Sequence, residues 1–430
     1  MNGLVVLLIS FFGLVLFRVP IAFSMGLSSM ITAWSMGLSL NVIMRNIFEG
    51  VNSFSLLAVP FFLLAGMIMN QGKVTDRLLE LSQALVGHIR GGLAHVNVLV
   101  SMLFAGISGS PAADTSGIGS ILVPAMIKAG YDAPFSVAIT AASSTIGGII
   151  PPSISMILYG AFGNVSIGAL FLGGIVPGVL VGLSQMWIAY LYARKRPELA
   201  GPPPSVQRVK RAFLGAAAPL GMPILILGGI TSGVFTATEA SVVAVIYGLI
   251  LGFFVYKDKD FTLRNMPGLL SEAVIFYSLA LFAVCNAMPM GWLIAYLDGP
   301  VMLTNVVQGL LSSYYGVYAA IVVILLILGT FLSPTVIIVI FLPVLQALGN
   351  MVGIHPVHLG VITVMVLGIG QITPPYGICL LIASEIGKVP VMRAFKATLS
   401  LIAVFLVVVA TCIVFPSLVL FIPRMLMGIP

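Results

Sequence analysis

Residues 108–126 read SGSPAADTSGIGSILVPAM, and residues 145–160 read TIGGIIPPSISMILYG. Both stretches lie inside long apolar runs, yet neither composition supports an unbroken helix. A proline removes one backbone donor, and its ring clashes with the carbonyl four residues back. Glycine admits conformations closed to other residues, and serine or threonine hydroxyls can replace the partners lost. The run 92–129 is therefore a pair of helices that turns back at Ser110-Pro111, and 134–162 is a helix broken at Pro151-Pro152. The same grammar returns in the second half, where 329–334 read GTFLSP and 370–377 read GQITPPYG inside the runs 316–350 and 356–386. From the proline of Ser-Pro to the second proline of Pro-Pro is 41 residues in both halves. LVPAM at 122–126 answers FLPVL at 341–345, and Ala133-Pro134 answers His355-Pro356. Chance reuse of proline in apolar helices does not keep one interval twice, so the halves form an internal repeat.

The composition says what surrounds these turns. Of 430 residues, 60% are hydrophobic and 7% charged, where a soluble domain carries about a quarter charged. Mean hydropathy is +1.18. Apolar runs of about 20 residues, the length a helix needs to cross a bilayer, fall near 3–17, 20–38, 53–70, 166–193, 212–231, 239–256, 268–296 and 398–421. They are continuous rather than alternating, which selects helices over a barrel. The start, MNGLVV, lacks the basic region of a cleaved signal, so 3–17 is read as a permanent span. With the N-terminus outside, every one of the 19 basic residues except Arg45 and Arg424 falls on the cytoplasmic side, the bias that sets membrane topology. That bias also accounts for the net charge of +7 without invoking nucleic acid. It holds only if 92–129 and 316–350 each dip into the membrane and return to their own side, one from inside and one from outside. The fold class is thus an all-α polytopic membrane protein with inverted repeats, two re-entrant hairpins and two broken helices, the architecture of secondary transporters.

Five segments follow: 1–91, the first spans with an amphipathic arm at 73–90 lying along the membrane surface; 92–165, hairpin one and the first broken helix; 166–315, further spans with the polar linker 195–211; 316–390, hairpin two and the second broken helix; and 391–430, the C-terminal span. Gly174, Gly178 and Gly182 give one span a small face for helix packing. Cys285, Cys379 and Cys412 lie far apart in apolar stretches with no metal or redox spacing.

Each half offers freed carbonyls and hydroxyls for a small hard cation, and helix N-termini for an anion. No soft or imidazole donors gather there, so Na⁺ fits better than a transition metal. Asp114 is the one carboxylate near a tip. Its plainer reading is a helix-start residue capping free N–H groups; its sharper one is contact with ion or substrate. Glu239, in FTATEA at 235–240, also reads as a helix start, and His355 and His358 read as loop histidines rather than a metal pair. The Gly-Lys pairs at 72–73 and 387–388 are each followed by valine, so no phosphate loop is present. Neither an HExxH helix, a nucleophile elbow nor a paired-acid site appears. An enzyme is not indicated, and a coupled ion gradient remains as driver.

At PFFLLAGMIMNQG (60–72), SGSPAADTSGIGSILVPAM (108–126), TIGGIIPPSISMILYG (145–160), GGITSGVFTATEASVVAVIYG (228–248) and GQITPPYG (370–377) the chain resembles the large, DctM-like membrane subunit of tripartite ATP-independent periplasmic (TRAP) transporters, essentially end to end. The resemblance implies an elevator-type carrier in a bacterial or archaeal inner (cytoplasmic) membrane. It implies a separate four-span subunit, a soluble periplasmic substrate-binding protein, Na⁺ as coupling ion with no organic cofactor, and an organic acid (a C4-dicarboxylate, sialic acid or other sugar acid) as substrate. By motif position the first Na⁺ site falls on Ser108, Gly109, Ser110, Ser143, Ser144, Thr145 and Gly147, and the second on Gly329, Thr330, Ser333, Gly368 and Thr373. Substrate contact falls on Ser110, Asp114, Thr115, Pro152, Ser153, Gln371 and Pro375. Where many relatives carry an acid, this chain has Ser333. A stand-alone Na⁺- or H⁺-coupled anion carrier of a related hairpin fold is the competing expectation.

Overall fold

A computed structural model describes residues 3–71, 74–199, 201, 203–256, 261–310 and 313–429. Lys73, Lys257 and Lys259, counted above among the basic residues, lie outside them. The described residues are helical, with no strand among them. The chain opens with α1 (Gly3–Leu16), α2 (Ile21–Ser35), α3 (Leu40–Glu49), α4 (Ala58–Gln71) and α5 (Val74–Val86). Hairpin one is α6 (Gly92–Ser108) and α7 (Pro111–Lys128); the first broken helix is α8 (Ala133–Ser144), a 3₁₀ turn (Thr145–Gly148) and α9 (Ile154–Gly163). Then come α10 (Ile167–Ala193), α11 (Val206–Thr231), α12 (Ala237–Ile250), α13 (Met266–Tyr296) and α14 (Gly299–Leu310). Hairpin two is α15 (Tyr314–Gly329) and α16 (Pro334–Met351), the second broken helix is α17 (Pro356–Gly370) and α18 (Ile378–Gly387), and α19 (Val391–Val414) and α20 (Ser417–Met427) end the chain.

Both hairpins and both breaks therefore form where the Ser-Pro and Pro-Pro pairs stand. In each tip the serine is the N-cap of the returning helix: Ser110 accepts from the Ala113 N–H at 3.5 Å and Ser333 from the Val336 N–H at 3.4 Å. The proline follows at the first helical position, where its missing N–H costs nothing. Packing exchanges partners between the halves: α7 lies on α18, and α16 lies on α9. A two-fold relation between the repeats produces reciprocal contacts of this kind. Both Pro-Pro bonds, 151–152 and 374–375, are cis.

Two packed groups are visible. One gathers α6–α9 and α15–α18, with α10, α19 and α20 against them; the other joins α1–α4 to α13, and α5 and α12 to α11. Among the described residues six helices are long and apolar enough to cross a membrane, and the bent pair Leu40–Glu49 with Phe54–Asn70 makes a seventh candidate. The amphipathic segment at 73–90 does form a helix, α5, and its apolar face packs on α6 and α11.

Three elements differ from the sequence reading. α3 was not expected, because its ten residues include Asn41, Arg45, Asn46 and Glu49; Ser39 starts it by accepting from the Asn41 N–H at 3.3 Å. α14 was not expected either. The C-terminal span 398–421 is interrupted: Phe415 leaves helical geometry (φ −118°, ψ 78°) before Pro416, which disfavours a helical residue ahead of it.

Candidate functional site

The tip of hairpin one ends inside the protein, with Ser108 and Gly109 buried. Gly109 turns at φ +65°, and a β-carbon there would stand 2.6 Å from the Pro152 carbonyl oxygen. Only glycine meets both conditions. The Ile154 N–H donates to the Gly109 carbonyl at 3.3 Å, tying the tip to the break. Hairpin two repeats the device: the Tyr376 N–H donates to the Thr330 carbonyl at 2.8 Å. There the backbones of Gly329 and Gly370 touch, so that a β-carbon on Gly370 would lie 2.6 Å from the Gly329 oxygen. The two breaks meet as well, since a β-carbon on Gly368 would be 3.7 Å from that of Thr145.

Asp114 lies in the opening turns of α7 and is fully buried. One carboxylate oxygen accepts the Ser108 hydroxyl. The other has no hydrogen-bond partner and faces Gly147 so closely that no β-carbon fits between. The expectation that Asp114 caps the helix is corrected, because Ser110 holds that position and Asp114 reaches back across the turn instead. Among the described residues no ion pair includes Asp114. A buried carboxylate left uncompensated costs several kcal/mol, so the orphaned oxygen, with Ser108 and the first break around it, suits a small hard cation.

The other residues singled out from sequence divide by what their side chains do. Ser144 and Thr145 turn back on α8, to the carbonyls of Thr140 at 2.8 Å and Ala142 at 2.6 Å. Thr115 bonds the Pro111 carbonyl at 2.8 Å. Ser153 caps α9 and donates to the Gly148 carbonyl at 2.6 Å, closing the first break on itself. In the second half Thr330 and Thr373 bond Ile327 and Ile369 carbonyls at 2.7 and 2.8 Å. Gln371 is buried and its carbonyl accepts from the Cys379 N–H at 3.0 Å; Pro152 is buried, whereas Pro375 is exposed. The first break is thus sealed in protein and the second lies partly open.

Ser143 belongs to something the sequence reading missed. Its hydroxyl donates to Asn97 Oδ1 at 3.0 Å and accepts from Ser101 at 3.0 Å, while Asn97 donates to Thr140 at 2.6 Å. Gln185 of α10 adds a bond to the Ala142 carbonyl at 3.1 Å. The signal was present as Asn97 and Ser101 four apart, and Thr140, Ser143 and Ser144 on one turn, in otherwise apolar helices. His358 was also underread: its ring bonds the Tyr318 hydroxyl and, at 2.9 Å, the Cys412 carbonyl, joining α17 to α15 and α19. His355 caps α17 through the Val357 N–H at 3.2 Å. Glu239 is the helix-start residue expected, forming a capping box with Thr236. The glycine face of α10 packs on the first break, with Gly178 against Ile150 and Gly174 against Ile149.

A cavity of about 440 Å³ opens beside tip one, between hairpin one, α4, α13 and α18. Asn70, Ser108, Ser110, Ser116, Glu272 and Glu385 supply its polar groups, and no lysine or arginine lines it among the described residues. Around the tips and breaks, α7, α9, α16 and α18 present N-termini, and α6, α8, α15 and α17 present C-termini. The first set attracts anions and the second cations.

The model of the family described as "Tripartite ATP-independent periplasmic transporter, DctM component" matches residues 8–418. The chain belongs to this family. Among DctM relatives, the sialic acid TRAP transporter large permease protein SiaM of Vibrio cholerae is 36% identical over 97% of each chain. The C4-dicarboxylate TRAP transporter large permease protein DctM of Pseudomonas aeruginosa is 37% identical over 88% of each. The YdaH transporter of Alcanivorax borkumensis superposes with a TM-score of 0.61 at 15% identity, over 88% of this chain and 90% of that one; at that identity the likeness concerns the fold. The DctM chain described here is therefore a multi-pass membrane protein and a transporter permease rather than an enzyme.

Proposed function

We propose that this chain is the large permease of a Na⁺-coupled TRAP transporter that imports an organic acid across a bacterial or archaeal cytoplasmic membrane. The observation that carries the coupling ion is the orphaned, buried Asp114 oxygen at the junction of tip one and the first break. A bound Na⁺ would supply the missing positive charge there, with Ser108, Asp114 and the 143–148 backbone as the groups to hold it. Ser143 contributes through α8's position rather than its hydroxyl, which is already engaged. A second site would use Gly329, Thr330, Ser333, Gly368 and Thr373, whose hydroxyls and carbonyls are hard donors. The substrate's carboxylate would sit by Ser110 and Gln371, held by helix N-termini and hydroxyls, while Ser153, already bonded to the Gly148 carbonyl, would shape the break. With Glu272 and Glu385 in the adjoining cavity, the acid would be attracted mainly once the cation is bound, which gives a physical reason for coupling.

The two packed groups suggest the moving parts: α6–α9 with α15–α18 carry the site, and the remainder stays with a separate four-span partner. Sialic acid and C4-dicarboxylates are the acids that the two permeases compared above are named for, and a periplasmic binding protein would deliver this one. Reconstitution of the chain with a four-span subunit and binding protein tests the reading. Uptake of one acid from a panel of sugar acids and dicarboxylates should require an inward Na⁺ gradient. Uptake without binding protein, or indifferent to Na⁺, would overturn it.

A further inference from the structure

A cavity larger than the one beside tip one lies away from the tips and breaks. It is a cleft of about 1160 Å³ between the start of α8, the last turns of α10 and the start of α19. Lys388, Arg393 and Lys396 line it, and none of them joins an ion pair among the described residues. Asp132, the one acid in the lining, is already taken: the Tyr192 hydroxyl donates to it at 2.7 Å and Arg196 at 3.0 Å. The cleft is therefore left with unopposed positive charge. Helix stability does not favour this arrangement, since α19 begins here and cations at a helix N-terminus oppose its dipole. No acid in its first turn offsets them.

The walls below that mouth are apolar and face outward. Leu191 on α10 and Leu399 on α19 are 43% and 51% exposed, and the exposed strip runs on through Trp187 and Val407. The Phe135 and Tyr192 rings, stacked at 3.6 Å, close the inner side. A free anion such as phosphate would satisfy the cations and make no use of the strip. A molecule with an anionic head and apolar chains uses both. Basic pockets at the ends of transmembrane helices recognise lipid headgroups in this way.

We propose that this cleft binds an anionic phospholipid of the surrounding bilayer, its phosphate among Lys388, Arg393 and Lys396 and an acyl chain along the exposed edges of α10 and α19. The proposal needs only a membrane location and stands apart from the transport chemistry. Native mass spectrometry of the purified full chain in detergent, with phosphatidylglycerol and phosphatidylcholine supplied equally, tests it. Retention of phosphatidylglycerol should exceed that of phosphatidylcholine by about tenfold or more, and Arg393→Gln/Lys396→Gln should erase the difference. Arg194→Gln/Lys195→Gln removes the same charge from exposed positions outside the cleft and should leave it intact. Ala397→Trp, which fills the slot without altering charge, should reduce retention even if the double glutamine variant fails to fold. Equal retention of the two lipids, equal damage from both charge pairs, no effect of Ala397→Trp, or displacement of the lipid by millimolar inorganic phosphate would overturn the assignment.

Discussion

The Ser108 hydroxyl donates to the Asp114 carboxylate across the tip of hairpin one, fastening the last residue of α6 to the opening turns of α7. The bond turns the second carboxylate oxygen towards the first break, where it meets Gly147 and no donor. A tip, a break and a buried acid are thus brought to one point, although Ser108 and Gly147 stand 39 residues apart in sequence. Ser108→Ala should leave Asp114 with both oxygens unsatisfied. We expect Na⁺ affinity in that variant to fall about tenfold, because the carboxylate is freed to reorient. Titration of Na⁺-dependent uptake reads this directly, and an unchanged half-saturation would remove Ser108 from the site.

Gly370→Ala is expected to impair transport severely while sparing expression. In a helix the exchange is favourable by about 1 kcal/mol, but here the added carbon would come 2.6 Å from the Gly329 oxygen and push tip two off the second break. Gly228→Ala and Gly268→Ala, where nothing lies within 4 Å, should transport normally. Uptake rates of the three variants at matched expression make the comparison.

Asn97→Ala should lower thermal stability, since it strips partners from buried Thr140 and Ser143. The loss is about 1–3 kcal/mol, the cost of buried polar groups left unpaired. Adding Ser143→Ala should cost less than the sum of the two single changes, because both act on one network. Thermal unfolding of the four proteins in one detergent gives the coupling; strict additivity would dissolve the network.

Asp132 sits in the connection between α7 and α8, where the Tyr192 hydroxyl and then Arg196 hold its carboxyl below the ordinary 3.8. A depressed carboxylate contributes stability that is present above the unfolded value and lost as pH falls through the folded one. Asp132→Asn should therefore cost a constant amount from about pH 5 to pH 8, under about 1 kcal/mol for so exposed a pair. The difference should begin to shrink as pH falls through about 4 and vanish only below the folded value, which lies under 3.8. Unfolding midpoints of both proteins across that range check it.

What could be read in advance follows from covalent chemistry. Ser-Pro and Pro-Pro state locally where a helix must begin or fail, so both tips and both breaks were legible from Ser110, Pro111, Pro152, Ser333 and Pro375. The interruption at Phe415 was missed although Pro416 stood beside it, because a single proline in an apolar run is often carried within a helix, as Pro177 is in α10. Asp114 was singled out, but its capping reading gave way to Ser110. The Asp114 bond to Ser108 depends on how the chain turns at Gly109, and no residue spacing encodes that turn. The α6–α8 network and the His358 bridge join residues about 40 or more apart in sequence, and such pairings exist only once helices pack. The cationic cleft drew on α8, α10 and α19 together and left no local mark at all.

We propose that the junction of tip one and the first break, around Asp114, holds the cation that drives uptake. Asp114→Asn keeps the shape and removes the charge. Protein purified without Na⁺ should be stabilised against heat by added Na⁺ but not by K⁺ or choline. In Asp114→Asn that stabilisation should be lost, while its midpoint without Na⁺ is no lower than the parent's, since an unpaired buried charge has gone. Superimposable Na⁺ titrations of the two proteins would place the coupling ion away from Asp114.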